Sequence, residues 1–357
     1  MSRRASGSSP QRGRSRSTYG VRFAVIGQGP FAQTSILPAF TRAKGCELSA
    51  IFSDDETKLR ALRRRYGVEH ALPYLDYDVF LESGAVDAVY IALPNDMHAD
   101  YALRAARAGV HVLCERPMAV DSREAEQMIA TCQQAEVRLM IAYRQHFDRA
   151  NRAALGVIED GRIGEPRFFS SVFSQRSAGG SLRDIGISCI RAARTLFRAE
   201  PVEVVAIAGG RRTDERLRRI DEQVSALLRF PGDRLAQLTC GFGGHEQSEY
   251  TAIGTRGRLR LDRAYGSSGD RVLEIESRGR TRRRTFRASD RVAPELAEFA
   301  ACIQEGRDPE LSGQEGLADL RVIEAIEASL RSGEGIRVRA RQSRKIELID
   351  LEQLRSA

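Results

Sequence analysis

Short apolar runs along the chain alternate with longer stretches whose apolar positions recur every three or four residues. Val21–Ile26 is the first run, a helical stretch to about Ala43 follows, and Cys46–Phe52 is the second run. A basic helix over Leu59–Tyr66 and another helix after Tyr74 lead to Val86–Leu93, a near-continuous apolar segment as expected of a strand buried on both faces. A helix over Ala99–Ala108, a fourth strand over Val110–Cys114, a helix over Ser122–Ala135 and a fifth strand over Val137–Ala142 complete this half. Strands alternating with helices predict a doubly wound parallel sheet whose ligand crevice lies beyond the strands' carboxyl ends. The polar clusters Pro94–His98, Glu115–Met118 and Tyr143–His146 stand at those ends.

The rhythm then changes. Arg167–Ser174 alternates apolar with polar, Gly179-Gly180 opens a helix over Ser181–Ala199, and short segments from Pro201 to Leu261 are punctuated by turn signals at Phe230–Asp233 and Gly254–Gly257. This predicts an antiparallel or mixed sheet. Helices over Pro294–Gln304 and Ser312–Ser332 close the pattern. The expected fold is α/β followed by α+β: a Rossmann domain over 20–143, then a second domain with an open-faced sheet over 144–357.

Composition changes the picture in three places. A chain of 357 residues exceeds one ordinary core, and 42% hydrophobic residues suffice to fill two. The formal charge of +8 suggests nucleic acid, but five arginines (Arg3, Arg4, Arg12, Arg14, Arg16) stand in a tail, 1–19, without acidic residues. That tail is too poor in apolar residues to order itself and has no aromatic except Tyr19, so it reads as disordered, and no nucleic-acid partner is expected. No run approaches the roughly 18 apolar residues of a membrane span, and Arg3-Arg4 is not followed by the apolar segment of an export signal. Six scattered cysteines without paired ligand spacing predict reduced thiols in a cytoplasmic protein with no metal. The basic runs Arg63–Arg65 and Arg280–Arg284 read as solvated faces.

The chemistry starts at Gly27-Gln28-Gly29-Pro30-Phe31-Ala32, between the first strand and the first helix. Gly27 suits a tight turn, Gly29 leaves room for a pyrophosphate against the backbone, and Ala32 lets the helix sit close to the sheet. The helix start offers unpaired N–H groups to phosphates. Alone, the motif is equally an ordinary turn. The end of the second strand reads Ser53-Asp54-Asp55-Glu56-Thr57-Lys58: a small polar residue with a nearby cation suits a 2′-phosphate, whereas Asp54 suits a free 2′-hydroxyl. NADP is the expected cofactor, with NAD possible.

Gly27-x-Gly29-x-x-Ala32, Pro94-Asn95-x-x-His98, Cys114-Glu115-Arg116-Pro117-Met118 and Ala142-Tyr143-Arg144 together resemble the Gfo/Idh/MocA oxidoreductases, most closely their glucose-fructose oxidoreductase branch. The resemblance covers nearly the whole chain after the tail. It implies hydride transfer to or from a sugar or cyclic polyol, and a homodimer or homotetramer formed through the second domain's sheet, covered on its other side by the last two helices. It places Pro30 and Phe31 beside the glycines, Ser53, Lys58 and Tyr74 at the adenosine end, and Pro94, Asn95, His98, Glu115 and Arg144 along the path to nicotinamide. His98 is also suited to capping the helix that follows it.

The proton-handling half departs from the family pattern. Where the family carries Glu-Lys-Pro, this chain has Arg116, which can stabilise an oxyanion but cannot act as a base. Four residues after Asp184, where relatives place His or Tyr, stands Ser188, and the connection between Gln175 and Gly179 is shorter than in close relatives. Arg116, Asp184 and Ser188 are the candidate catalytic residues, with Asp184 the best remaining proton acceptor, although an acid near a helix start is also simply stabilising. Two readings follow: an NAD(P)-dependent sugar oxidoreductase, or a dinucleotide-binding sensor or scaffold that has lost turnover.

Overall fold

The computed structural model describes residues 20–176, 181–209, 222–266 and 269–339. The tail over 1–19, the Gly179-Gly180 helix opening and most of the shortened 175–179 connection lie outside the described residues.

The first sheet contains β1 (Val21–Ile26), β2 (Cys46–Phe52), β3 (His70–Leu72), β4 (Ala88–Ile91), β5 (His111–Cys114) and β6 (Leu139–Ile141). Its order is β3-β2-β1-β4-β5-β6 with every pairing parallel. This is the dinucleotide-binding order, with its reversal point between β1 and β4. The sequence pattern yields only five of these strands. The sixth, β3, is three residues long, sits at the sheet edge and is half-buried throughout, so it leaves no periodic trace.

Helices fill the connections. A π turn over Ala32–Ile36 runs into α1 (Leu37–Phe40), followed by α2 (Glu56–Tyr66), α3 (Tyr77–Glu82), α4 (His98–Arg107), α5 (Ser122–Gln134) and α6 (Arg149–Glu159). Asp55, Asp121 and Asp148 each accept backbone N–H groups at the starts of α2, α5 and α6. Such caps satisfy donors that a helix start otherwise leaves open. Arg63, Arg64 and Arg65 are exposed in the last turn of α2, where cations complement the helix dipole.

The second sheet contains β7 (Pro166–Gln175), β8 (Glu203–Gly209), β9 (Gln223–Phe230), β10 (Arg234–Phe242), β11 (Gln247–Gly254), β12 (Gly257–Asp262), β13 (Arg271–Ser277), β14 (Arg280–Phe286) and β15 (Ile336–Arg337). Its order is β14-β13-β12-β11-β7-β10-β9-β8-β15, antiparallel except for β7 with β10. The arginine run forms β14, an exposed strand at the sheet edge. Charges there block further strand pairing. One face of the sheet packs on α6, α7 (Ile187–Phe197) and α9 (Gly313–Ser332). The other face leaves Val205, Ile207, Leu227, Leu235 and Ile253 exposed across β8 to β11, with Val205 paired directly to Leu227.

One helix sits elsewhere than expected. α8 (Val292–Glu305) joins the core of the first sheet, where Phe299 packs against Phe23, instead of covering the second. α9 spans both cores: Leu317 and Leu320 belong to the first, Val322, Ile323 and Ile326 to the second.

Candidate active site

Gly27 has φ +97°, and a Cβ there would lie 2.5 Å from the Ala92 carbonyl oxygen. Only glycine fits that turn. A Cβ on Gly29 would meet nothing within 4 Å. Open space therefore stands over Gly29, at a helix start that no side chain caps. Pro30, which has no N–H to satisfy, opens that helix, and Ala32 is buried against the sheet. Uncapped amides, open space and a tight turn fit a diphosphate.

At the end of β2, Ser53 is buried and its hydroxyl accepts from the Asp55 N–H at 3.2 Å. Lys58 Nζ lies 3.6 Å from the Asp55 carboxylate. Ser53 and Lys58 are thus gathered into one turn, with an acid already beside the lysine. Tyr74, in the turn after β3, packs edge-on against Tyr101 at 5.9 Å between ring centres.

Pro94 and Asn95 form the turn beyond β4. His98 follows them but is fully buried, with Nδ1 2.8 Å from the Pro117 carbonyl and Nε2 2.8 Å from the Leu93 carbonyl. A neutral imidazole donates to only one of these carbonyls, but His98 lies buried between the tips of β4 and β5 with both ring nitrogens facing protein atoms. That corrects its expected place on the path to nicotinamide. Beside it Glu115 pairs with Arg144 and accepts from the Tyr90 hydroxyl at 2.8 Å. The Arg144 guanidinium lies 4.2 Å from the centre of the Phe31 ring. The glycine turn, β4, β5 and β6 therefore meet through Phe31, Arg144, Glu115 and Tyr90.

Arg116 donates from Nη1 to the Asp184 backbone carbonyl at 3.0 Å. Desolvation draws its pKa below the ordinary arginine range, and the nearby Arg144 charge adds to that. Asp184 is half-buried in a π turn over Ser181–Gly186 that leads into α7, and Ser188 is buried there with no hydrogen-bond partner for Oγ. The three candidate catalytic residues thus share the junction of the β5 tip with the start of α7.

A buried ionic network fixes that junction. The Tyr143 hydroxyl donates to Asp319, Arg194 pairs with Asp319, with Glu200 at 2.6 Å and with Glu315 at 3.2 Å, and Arg191 pairs with Glu315. Arg191 also lies 4.8 Å from the Tyr143 ring centre. The end of β6 is thereby tied to α7 and α9.

Several buried ionisable groups nearby are not distinguished as such by the sequence reading. Glu295 on α8 is fully buried, with Oε2 3.5 Å from the Tyr90 hydroxyl and Oε1 unpartnered, and burial pushes its pKa up to about 8. Arg291, at the start of the same helix, is also buried, and desolvation followed by Arg271 lowers its pKa to about 10. His146 lies 3.5 Å from Glu310, and burial holds the imidazole down to about 4 and the carboxyl up to about 7. Among the described residues no three His, Cys, Asp or Glu side chains gather into a metal-binding group, and no helix is long and apolar enough to cross a membrane.

The architecture and crevice define a two-domain α/β protein built to hold a dinucleotide against a second, sheet-based domain. The profile of the oxidoreductase family with an NAD-binding Rossmann fold matches residues 21–143, and that of the Gfo/Idh/MocA C-terminal domain matches 151–260. The D-xylose 1-dehydrogenase [NADP(+)] of Haloarcula marismortui is 32% identical over 86% of this chain and 90% of its own. Among solved structures, the aldose-aldose oxidoreductase of Caulobacter crescentus, complexed with glycerol, superposes with a TM-score of 0.84 at 31% identity over 89% of this chain and 99% of its own. A 3-ketoreductase from Actinomadura kijaniata in complex with NADP superposes at 0.78 and 29% identity, over 87% and 98%. The chain belongs to the Gfo/Idh/MocA oxidoreductase family.

Proposed function

We infer that this protein is an NADP-dependent oxidoreductase that moves a hydride to or from a CH–OH carbon of a sugar or cyclic polyol, with Arg116 and Asp184 handling the hydroxyl. The relatives named above are NADP-linked or sugar-linked by name, and the uncapped helix start below open Gly29 accommodates the dinucleotide. The observation that carries the pairing of these two residues is the 3.0 Å hydrogen bond from Arg116 Nη1 to the Asp184 backbone carbonyl, which brings the start of α7 to the β5 tip.

When bound, the nicotinamide supplies or accepts the hydride. Gly27, Gly29, Pro30, Phe31 and Ala32 hold the diphosphate end, Ser53, Lys58 and Tyr74 the adenosine end, and Pro94, Asn95, Glu115 and Arg144 the approach to nicotinamide. Arg116 stays charged and stabilises negative charge developing on the substrate oxygen. Asp184, directly or through water, takes the hydroxyl proton during oxidation and returns it during reduction. Ser188 offers a hydrogen bond in the same place.

We place the dinucleotide-binding domain at 20–143 and the substrate and assembly domain at 144–357, with α8 as a strap returned to the first. The protein is proposed to be cytoplasmic and homo-oligomeric through the exposed apolar row of β8 to β11. Fluorescence titration with NADPH, then absorbance at the nicotinamide band with a panel of aldoses and cyclitols, tests the activity. Tight binding without turnover across the panel would leave the sensor or scaffold reading in its place.

A further inference from the structure

Side chains that touch a ligand are placed precisely only when their own rotamers are held by packing and hydrogen bonds behind them. Here that support runs without a gap from α8 to the glycine turn. Phe31, half-buried and two residues past open Gly29, has the Arg144 guanidinium 4.2 Å from its ring centre. A cation over an aromatic face is attracted by the ring quadrupole, so the two side chains fix one another. Arg144 is in turn held by Glu115, and the same Glu115 oxygen, Oε1, accepts from the Tyr90 hydroxyl at 2.8 Å. Among the described residues Tyr90 and Arg144 are the only donors to that carboxylate.

Tyr90 is fully buried in β4, and its other polar contact is Glu295 Oε2 at 3.5 Å. A phenol has a single proton, and the shorter contact commits it to Glu115. Glu295 then meets the Tyr90 oxygen as a donor, in its protonated form, in keeping with the burial that pushes its pKa up to about 8.

Resting on the cofactor placement proposed above, we propose that Tyr90 is a positioning residue for the nicotinamide end of the cofactor. Its hydroxyl pins Glu115, Glu115 holds Arg144 on the Phe31 ring, and that stack walls the nicotinamide half of the crevice. The sheet order supports this division. A dinucleotide lies across the reversal point between β1 and β4, with its adenosine at the end of β2. Tyr90, Glu115 and Arg144 belong to β4 and to the tips of β5 and β6, on the opposite side, whereas Ser53 and Lys58 gather around Asp55 after β2. Without the hydroxyl, Glu115 keeps Arg144 as its sole partner, and the pair is free to swing off the ring together.

The experiment is isothermal titration of wild type, Tyr90→Phe, Phe31→Leu and the double variant with NADPH and with adenosine 2′,5′-bisphosphate, which has the adenosine end but no nicotinamide. Tyr90→Phe should weaken NADPH about tenfold and leave adenosine 2′,5′-bisphosphate within about twofold of wild type. Because the hydroxyl acts through Phe31, its effect on NADPH should shrink to about twofold or less in the Phe31→Leu background. A merely structural role would lower both affinities alike, and that result overturns the inference. So does NADPH binding unchanged in Tyr90→Phe, or the whole effect persisting on Phe31→Leu. Should Tyr90→Phe fail to fold, Glu115→Gln, which removes the charge that holds Arg144, is judged by the same criteria. Failure of the wild type to bind NADPH would sink the cofactor reading itself, whereas tight binding with the wrong pattern among the variants sinks only this inference.

Discussion

Glu295→Gln is the substitution whose consequence can be worked furthest. In the folded protein this carboxyl is fully buried, and its pKa of about 8 compares with 4.5 for the free side chain. The principal cause is desolvation; Arg144 acts against it and Glu115 with it. A folded-state pKa raised above the unfolded one means that the native state keeps a proton the unfolded chain has lost. Stability therefore falls as pH rises from about 4.5 towards 8, and below that window nothing is lost. Linkage puts the cost at about 1 kcal/mol at pH 5, about 3 at pH 7 and about 4 at pH 8. Glutamine keeps the shape and cannot ionise. It carries an offset of about 1 to 3 kcal/mol for an amide buried without a full set of partners, but this offset does not vary with pH. The quantity to measure is thus the difference in unfolding free energy between variant and wild type, by urea denaturation at pH 5, 7 and 8. It should move in favour of Glu295→Gln by about 3 kcal/mol across that range. A difference that stays flat would mean that Glu295 ionises normally in the fold, and the reasoning about its burial would fail.

The remaining predictions concern ligand, turnover and assembly. Lys58→Ala should weaken NADPH about tenfold and NADH little, as loss of one charge-assisted contact implies, and equal losses in fluorescence titration would contradict a 2′-phosphate role for Lys58. Arg116→Lys combined with Ser188→Tyr should raise dehydrogenase turnover, and an unchanged rate would locate the limitation in the shortened 175–179 connection. Ile207→Asp with Leu227→Asp should reduce the mass measured by light scattering on a sizing column to that of one chain, because both side chains lie on the exposed row; an unchanged oligomer would place the interface elsewhere.

The first domain was legible because its strands are buried on both faces and its ligand-binding turns are short-range. Gly27 and Gly29 report local backbone needs, and the polar clusters at the ends of β4, β5 and β6 follow directly from where the apolar runs stop. What was not legible depends on distant packing. Nothing local distinguishes His98, buried between two carbonyls, from a histidine facing a ligand. Glu295 in the first turn of an amphipathic helix reads as a solvated acid favourable to the helix dipole. It is buried because α8 returns to the first sheet, a long-range event that helical periodicity cannot show. Arg191 and Arg194 are hidden in the same way, since a helix interrupted by arginines suggests exposure until the distant Glu315 and Asp319 join the local Glu200 around them.

The proton held on Glu295 and the charge held on Arg116 are two sides of one arrangement around Arg144. Near neutrality Glu295 contributes no full negative charge there. It stays protonated because desolvation outweighs the attraction of Arg144, whose charge is largely answered by Glu115. The replacement of the family's lysine by Arg116 works in the same direction. A lysine beside the reacting hydroxyl can give up its proton, whereas a guanidinium retains it, so the charge on the substrate side of Arg144 becomes permanent. In the function proposed above, proton exchange then falls to Asp184, whose backbone carbonyl is hydrogen-bonded to that guanidinium. Relative to the family pattern, a group that can release its proton is replaced at this position by one that keeps its charge.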